Sequence, residues 1–317
     1  MNLTLPTPED IAEAYGRILP YIRVTPLVKI AAGELGDHPP MTLKLELIQH
    51  SGAFKARGAF HNLLTRDVPE AGVAAASGGN HGAAVAVAAN RLGYKATIFV
   101  PEISSPSKIA KIRDAGADVV IGGREYADAA AACDAFMAET GAIGIHAYDG
   151  FETLAGQGTI AVEWQDQGEP LDTVVVAVGG GGLVGGVASA YAGSTRVIAV
   201  ETEGTPTWHE SKKAGRRVDV AVSGLAADSL GAKRLGALAF EVLMAQDIPS
   251  VLVSDDDVRA TQRVLWDRMR LIAEPGGAAA LAAILSGRYV PSEGETVGVL
   301  VCGANTDPGP IAHGATA

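Results

Sequence analysis

Short apolar runs alternate with longer segments of helical periodicity along most of the chain. The apolar runs predict buried strands, and the periodic segments predict helices. We predict strands at Met41–Glu46, Val73–Ala76, Ala96–Val100, Val119–Ile121, Thr173–Val178, Val197–Glu201, Ser250–Val253 and Thr296–Val301. We predict helices near Ala56–Leu64, Gly82–Arg91, Ser107–Ala115, Tyr126–Glu139, Thr153–Gln165, Leu183–Tyr191 and Val258–Leu271. This order is typical of α/β proteins, in which helices cover both faces of mostly parallel sheets.

The chain is long enough for two domains. Its 317 residues and the number of predicted strands exceed what one core usually holds, although no repeat and no low-complexity linker divides it. Before the first strand, Ile11, Tyr15, Ile18 and Leu19 fall on one face of a predicted helix, which we expect to cover the core.

Composition and charge exclude several classes of protein. With 25 Lys and Arg against 36 Asp and Glu, the net charge is −11, and no basic run offers a surface for nucleic acid. Two cysteines cannot form a disulfide framework. The N-terminus lacks the pattern of a signal peptide, and glycines interrupt the uncharged stretch Thr173–Thr195. We therefore predict a soluble, cytoplasmic protein without a membrane partner.

A lysine follows a glycine-containing turn in the segment Gln49–Gly58, which reads QHSGAFKARG. Lys55 stands at a predicted helix start beside Phe54. A helix N-terminus and an apolar neighbour both favour the neutral amine, which a Schiff-base lysine requires. A lone lysine in such a place is more often a solvated surface charge.

Two glycine-containing loops each connect a predicted strand to a helix. Ala76–Gly82 reads ASGGNHG and could seat a carboxylate or phosphate on free backbone N–H groups, or could simply cap the helix. Val178–Leu183 reads VGGGGL, where four glycines allow the backbone to close around an anion. The dinucleotide-binding spacing also fits Gly180, Gly182 and Gly185, and Glu201 ends the next strand. On this motif alone, an NAD-dependent oxidoreductase is therefore an alternative function.

A cysteine ends the last predicted strand, in the segment Val301–Asn305, VCGAN. Cys302 could be a buried small hydrophobe or could hydrogen-bond a heterocycle. No basic neighbour in sequence supports a catalytic thiolate.

Taken together and in this order, the motifs resemble those of the fold-type II enzymes that depend on pyridoxal 5'-phosphate (PLP), specifically the serine/threonine dehydratase group. Gly156–Thr159 (GQGT) and Glu274–Ala278 (EPGGA) complete the resemblance, which covers nearly the whole chain. It implies a tryptophan synthase β-like α/β fold, a large PLP-binding domain at 1–48 and 147–317, and a small domain at 49–146. It also implies a homodimer.

The resemblance further implies roles for the matching positions. Lys55 would link the cofactor covalently, Phe54 would pack beside its ring, and Asn80 would bind its phenolic oxygen. The cofactor's phosphate would be cradled by Gly179, Gly180, Gly181, Gly182 and Leu183. Cys302 would face the pyridine nitrogen, and Glu274 would lie close to the ring. The substrate carboxylate would be seated by Ser77, Gly78, Asn80 and His81.

The activity implied is the conversion of a small β-hydroxy amino acid, L-threonine or L-serine, to a 2-oxo acid and ammonia. Alternatives are a β-replacement synthase of the cysteine-synthase type, a 3-hydroxyaspartate dehydratase and a non-catalytic cofactor-binding module. Racemisation is disfavoured, because Gly78 stands where serine racemases carry a second serine. Tyr148 and the segment Ser223–Leu225 are candidates for the pocket that binds the substrate side chain. His50 and His146 could also face the site, but we interpret both as structural.

Two further positions depart from the family pattern. Ala53 lacks the hydroxyl that the family often carries before the Phe-Lys pair. Some relatives bind a divalent cation at positions matching Glu201, Thr205 and Thr207, but Thr207 replaces a carboxylate that a hard cation prefers. We therefore predict no metal and keep Glu201 and Thr205 as weak candidates.

Overall fold

Two separate sheets organise the chain in the computed structural model, which describes residues 3–313. The strands are β1 (Leu27–Ile30), β2 (Met41–Leu45), β3 (Val73–Ala76), β4 (Ala96–Val100), β5 (Asp118–Ile121), β6 (Ile143–Gly144), β7 (Thr173–Ala177), β8 (Arg196–Thr202), β9 (Ser250–Val253) and β10 (Val297–Val301). One sheet has the order β1-β2-β10-β7-β8-β9, and the other has the order β5-β4-β3-β6. We call them the six-stranded and the four-stranded sheet.

Helices connect most of the strands. They are α1 (Pro8–Ile18), α2 (Lys55–Thr65), α3 (Asn80–Leu92), α4 (Pro106–Asp114), α5 (Tyr126–Thr140), α6 (Phe151–Gln167), α7 (Gly182–Tyr191), α8 (Thr207–Ala214), α9 (Ala227–Leu230), α10 (Ala237–Ala245), α11 (Asp255–Met269), α12 (Pro275–Leu285) and α13 (Gly309–Ala312). Two 3₁₀ turns, Glu46–Ile48 and His50–Gly52, lie between β2 and α2.

Parallel pairing brings the carboxyl ends of the strands together. Every pair in both sheets is parallel except β1 with β2, so each sheet presents the ends of its parallel strands at one edge. This confirms the predicted α/β class with mostly parallel sheets. Open α/β sheets bind ligands at this edge.

Local signals explain where several helices begin. Thr7 and Asp10 form a capping box before α1, with Pro8 at the first helical position, and Ser254 and Asp257 do the same for α11. In α1, Ile11 and Ile18 are buried as predicted, whereas Leu19 is 40% exposed because it lies about 100° around the helix from Ile18. Leu19 was therefore wrongly placed on the buried face.

Four charged side chains form a fully buried cluster between β2, α2 and α6, which we call the buried quartet: Lys44, Glu46, Arg57 and Glu163. Lys44 Nζ lies 2.6 Å from Glu163 Oε1 and Arg57 Nη2 lies 2.7 Å from Glu46 Oε1. Their charges sum to zero, as a cluster sheltered from water requires. The quartet fixes the start of α2, where Lys55 stands.

Candidate active site

The position of Lys55 is set by backbone hydrogen bonds between the residues just before it and the residues that follow β10. Ala53 forms an isolated antiparallel bridge with Gly303, Phe54 N–H donates to the Cys302 carbonyl at 3.1 Å, and Ala304 N–H donates to the Gly52 carbonyl at 2.9 Å. Two motifs that are far apart in sequence are thereby joined backbone to backbone.

The amine of Lys55 is shielded from water by the surrounding protein. Its Nζ donates to the carbonyl of Ala147 at 2.5 Å and lies 5.2 Å from the centroid of the Phe54 ring. Burial lowers the pKa of Lys55 to about 8, with Cys302 and Glu274 opposing the shift only in part. A substantial fraction of the amine is therefore neutral near pH 8, as a nucleophilic lysine requires. The reading of Lys55 as a solvated surface charge is wrong.

The tetraglycine loop forms a cradle of backbone N–H groups. Gly181 caps α7 with a φ of +91°, and no side chain caps this helix, so its first N–H groups have no intrahelical acceptor. A β-carbon on Gly180 would collide with the ring of Tyr148. A β-carbon on Gly182 would collide with the backbone of Tyr148. Glycine is therefore required on both sides of the loop. Leu183 is buried behind it.

The loop before α3 presents a second set of free N–H groups. Gly79 occupies the N-cap position without a side-chain cap, and its N–H donates to Ser77 Oγ at 3.2 Å. His81 Nε2 lies 2.8 Å from the Ile145 carbonyl, and burial with the nearby Lys55 lowers the pKa of His81 to about 3. His81 is thus a neutral, fixed ring.

Gly78 has no room for a side chain. A β-carbon there would collide with the hydroxyl of Ser104 and lie 2.8 Å from a methyl group of Val100. The hydroxyl of Ser104, on the loop between β4 and α4, thus occupies the space that a side chain at position 78 would need. No motif predicts this contact, because the fold alone brings the two residues together.

Glu274 and Cys302 lie close enough to Lys55 to influence its pKa. Glu274 is the N-cap residue of α12, and its backbone N–H donates to the Gly303 carbonyl at 3.0 Å. Burial raises the pKa of Glu274 to about 7. Cys302 is buried, its thiol donates to the Gly276 carbonyl at 3.4 Å, and burial raises its pKa well above the usual range. The thiol therefore stays protonated.

Two residues that sequence reasoning did not single out complete this arrangement. Asn305 Nδ2 donates to Asn80 Oδ1 at 2.6 Å and to the Ser51 carbonyl at 2.8 Å, and Lys111 Nζ donates to Asn305 Oδ1. Asn80 Nδ2 in turn donates to Glu274 Oε1 at 2.6 Å. Asn305 is the last residue of the VCGAN motif, so the sequence contained a motif that could have identified it as a site residue.

The carboxylate of Glu201 is already engaged by three donors. Its Oε1 accepts from Trp208 N–H at 2.6 Å and from the Thr207 hydroxyl at 2.9 Å, and its Oε2 accepts from His209 N–H at 2.8 Å. Thr205 hydrogen-bonds to the Thr202 hydroxyl at 2.8 Å. Within residues 3–313, no group of three or more His, Cys, Asp or Glu side chains could hold a metal. Glu201 acts here as a helix cap.

The remaining candidates fall into two groups. His146 accepts from the N–H groups of Tyr148 and Asp149, and its ring stands edge-on to that of Tyr148. His146 lies near Lys55, and Tyr148 packs against the glycine loop. His50 instead lies 2.8 Å from Arg91 Nη1, on the outer side of the Ser51–Gly52 turn. Leu225 N–H, in the other candidate segment, donates to Asp255 at 2.8 Å.

Comparisons with known proteins decide the family. The family model described as "Pyridoxal-phosphate dependent enzyme" matches residues 18–303. The chain belongs to the pyridoxal-phosphate dependent enzymes. It is 38% identical over 317 residues to a phenylserine dehydratase of Ralstonia pickettii, covering 98% of this chain and 96% of the relative. It is 37% identical to an L-threonine ammonia-lyase of Geobacter sulfurreducens, and the match covers 94% of this chain and 75% of that relative.

A solved structure gives the same result. Maize serine racemase superposes with a TM-score of 0.90 at 31% identity, covering 97% of this chain and 96% of that chain. The fold-type II architecture and the PLP cofactor expected from the motifs are therefore confirmed, and the NAD-dependent reading is wrong. In the part of the chain that the structure describes, no helix is long and apolar enough to cross a membrane.

The site of this PLP enzyme fits the cofactor on its own features. The uncapped N-terminus of α7 provides donors for a phosphate, and the Lys55 amine can be neutral where an aldehyde must be attacked. The buried Ser51 hydroxyl, four residues before Lys55, has no hydrogen-bond partner within the described residues, which leaves a polar atom available to a ligand. The protonated thiol of Cys302 suits an uncharged pyridine nitrogen.

Proposed function

We propose that this PLP enzyme is a dehydratase, or ammonia-lyase, that converts L-threonine or L-serine to a 2-oxo acid and ammonia. The observation that carries the proposal is the Lys55 amine, which is shielded from water, donates to the Ala147 carbonyl and has a pKa of about 8. The names of the dehydratase and ammonia-lyase relatives support this reaction class. The proposed catalytic residue is Lys55.

The chain's own groups can bind and orient the substrate. The first N–H groups of α3, that of Asn80 among them, and the Ser77 hydroxyl would receive the substrate carboxylate, because a helix N-terminus favours an anion. The Asn80 side chain would bind the phenolic oxygen of the cofactor. Neutral His81 supports this seat without adding charge. The glycine loop and Leu183 would hold the cofactor phosphate, and Phe54 would pack beside the ring.

The reaction needs a base at Cα and an exit for the hydroxyl group. PLP, when bound, supplies an electron sink for the pair left by the Cα–H bond. Lys55 would take the Cα proton, and the Cβ–O bond breaks as the hydroxyl leaves with a proton as water. The enamine released then becomes an imine, which water hydrolyses to the 2-oxo acid and ammonia. The proton for the leaving oxygen would come from Lys55 or from the cofactor's phosphate.

Cys302 would favour elimination. A carboxylate facing the pyridine nitrogen would hold a proton there, whereas the thiol of Cys302 stays neutral and donates to the Gly276 carbonyl. The negative charge at Cα is then less delocalised, which favours prompt loss of the β-hydroxyl group. Glu274, with a pKa of about 7, would lie close to the ring.

Organisation and location follow from the resemblance. We propose the two domains at 1–48 with 147–317 and at 49–146, a homodimer, and a cytoplasmic enzyme that binds no nucleic acid. The two sheets support the division, since β3 to β6 all fall within 49–146. Light scattering on a sizing column would test the dimer.

The test is 2-oxo acid release by the PLP-loaded protein. L-serine, L-threonine, L-threo-3-hydroxyaspartate and phenylserine are supplied separately, with Lys55→Ala as the control variant. We expect turnover of L-threonine or L-serine that disappears in the variant. Silence on all four substrates, or turnover by Lys55→Ala, would refute the proposal. Formation of D-serine is measured alongside, because the Ser104 hydroxyl lies next to Gly78.

A further inference from the structure

Four side chains form a hydrogen-bonded row beside the cofactor site, which we call the amide relay: Lys111, Asn305, Asn80 and Glu274. A lysine ammonium can only donate, so the oxygen of the Asn305 amide must face Lys111. The nitrogen of Asn305 then faces Asn80, whose oxygen must accept. This leaves the Asn80 nitrogen to donate to Glu274. The cation at one end thus determines the orientation of both amides.

The relay passes back and forth between the two sheets. Lys111 lies on α4 and Asn80 begins α3, and both helices connect strands of the four-stranded sheet. Asn305 follows β10 and Glu274 precedes α12, next to the six-stranded sheet. Each of the three hydrogen bonds therefore joins one sheet's elements to the other's. Asn80 is held in its orientation only while the two sides are together.

All the donors in the relay run in the same direction. The ammonium of Lys111 polarises the Asn305 amide, which donates more strongly to Asn80, which in turn becomes a better donor through its own Nδ2. That nitrogen has two hydrogens, and Glu274 receives one of them. The second is free to meet another acceptor.

We propose that Lys111 is a positioning residue that acts through Asn305 to orient and polarise the Asn80 amide toward the phenolic oxygen of PLP. This rests on the role given to Asn80 in the proposed function. The Lys111 charge stabilises the negative charge on that oxygen without touching the cofactor.

Lys108 provides a matched comparison. It lies one turn before Lys111 on α4 and also lies near Glu274, but its Nζ pairs with Asp228 Oδ2 at 2.9 Å and not with an amide of the relay. A general effect of positive charge near Glu274 would involve both lysines. An effect carried by hydrogen bonds would involve Lys111 alone.

The test uses the PLP-loaded protein without substrate. Lys111→Met removes the charge and the donor, Lys111→Arg keeps both, and Lys108→Met is the control. The affinity for PLP is measured by titration, and the absorbance spectrum of the bound cofactor reports the charge on its phenolic oxygen. We expect Lys111→Met to weaken PLP binding about tenfold and to shift the spectrum. Lys111→Arg should largely keep the wild-type affinity and spectrum, and Lys108→Met should change neither the affinity nor the spectrum.

Several results would overturn the proposal. These are a wild-type spectrum and affinity in Lys111→Met, an equal change in Lys108→Met, or a wild-type spectrum in Asn80→Ala. If Lys111→Met does not fold, Lys111→Gln is used for the same test. It keeps a hydrogen-bond donor without the charge and should shift the spectrum in the same direction. A change in stability of the cofactor-free protein with no spectral change would indicate a purely structural role.

Failure of the proposed function gives a different result. No turnover of any β-hydroxy amino acid by a wild-type protein that binds PLP would refute the dehydratase. The spectra of the Lys111 variants would still test the relay, because they are recorded without substrate.

Discussion

Removing Lys44 from the buried quartet should destabilise the protein far more than removing an exposed lysine nearby. In the described structure Lys44 donates to the Thr25 carbonyl at 2.8 Å, to Glu163 at 2.6 Å and to Gln167 at 2.5 Å. Lys44→Met leaves the quartet with one uncompensated negative charge. Breaking a buried pair in this way costs about 3–5 kcal/mol of the free energy of unfolding.

The assay is urea unfolding of the cofactor-free protein, with Lys29→Met as the control. Lys29 pairs with Glu169 at 3.2 Å, but the two side chains are 81% and 84% exposed, so we expect a loss below about 1 kcal/mol. The double variant Lys44→Met/Glu163→Gln restores neutrality and should lose less than the sum of its single variants. Equal losses for Lys44→Met and Lys29→Met would refute the reasoning.

The same cluster gives a dependence on pH. Burial alone would raise the pKa of Glu163, but Arg57 and Lys44 together lower that pKa below its usual value. A carboxyl group with a lowered folded-state pKa contributes stability above its unfolded-state pKa, and this contribution is lost as pH falls through the folded-state pKa. Lys44→Met should therefore reduce the loss of stability on acidification.

Three other changes are expected. Uptake of PLP by the cofactor-free protein should speed up as pH rises through about 8, because the neutral form of Lys55 increases, and stopped-flow absorbance checks this. Gly180→Ala should cost about 1–3 kcal/mol, because the Tyr148 ring must move, whereas Gly16→Ala in open space on α1 should be neutral or stabilising in the same urea assay. Glu201→Gln should cost about 1–2 kcal/mol and speed amide exchange at the start of α8, and unchanged exchange would contradict its capping role.

Strands with a continuous apolar run were predictable from the sequence. The predicted bounds of Val73–Ala76, Ala96–Val100 and Ser250–Val253 agree with the structure. β1 and β6 were missed, because Leu27–Ile30 is a short, partly exposed edge strand and Ile143–Gly144 has two residues. Such strands carry no clear alternation of apolar and polar positions.

Helix α12 was missed for the opposite reason. Its sequence PGGAAALAAIL has nine residues among the buried ones, so the helix has no polar face and no periodicity to detect. The short helices α8 to α10 follow turns whose course depends on contacts with other segments, such as the capping of α8 by Glu201.

The candidate site was predictable where a motif carries it and not where contacts do. Lys55, Asn80 and Cys302 were each marked by a loop after a strand. Lys111 belongs to no motif, since it is an ordinary lysine of α4, and only folding places it on Asn305. Pairwise contacts between distant segments leave no trace in a single sequence.

The parallel arrangement has a practical consequence at the opposite edge of the six-stranded sheet. Lys55 and its partners all follow the carboxyl ends of strands, so the turns that lead into the amino ends carry none of the proposed chemistry. Glu293 and Gly294, shortly before β10, are exposed in such a turn. A reporter domain could be inserted there and its signal read while the reaction runs undisturbed at the far end of the same strand.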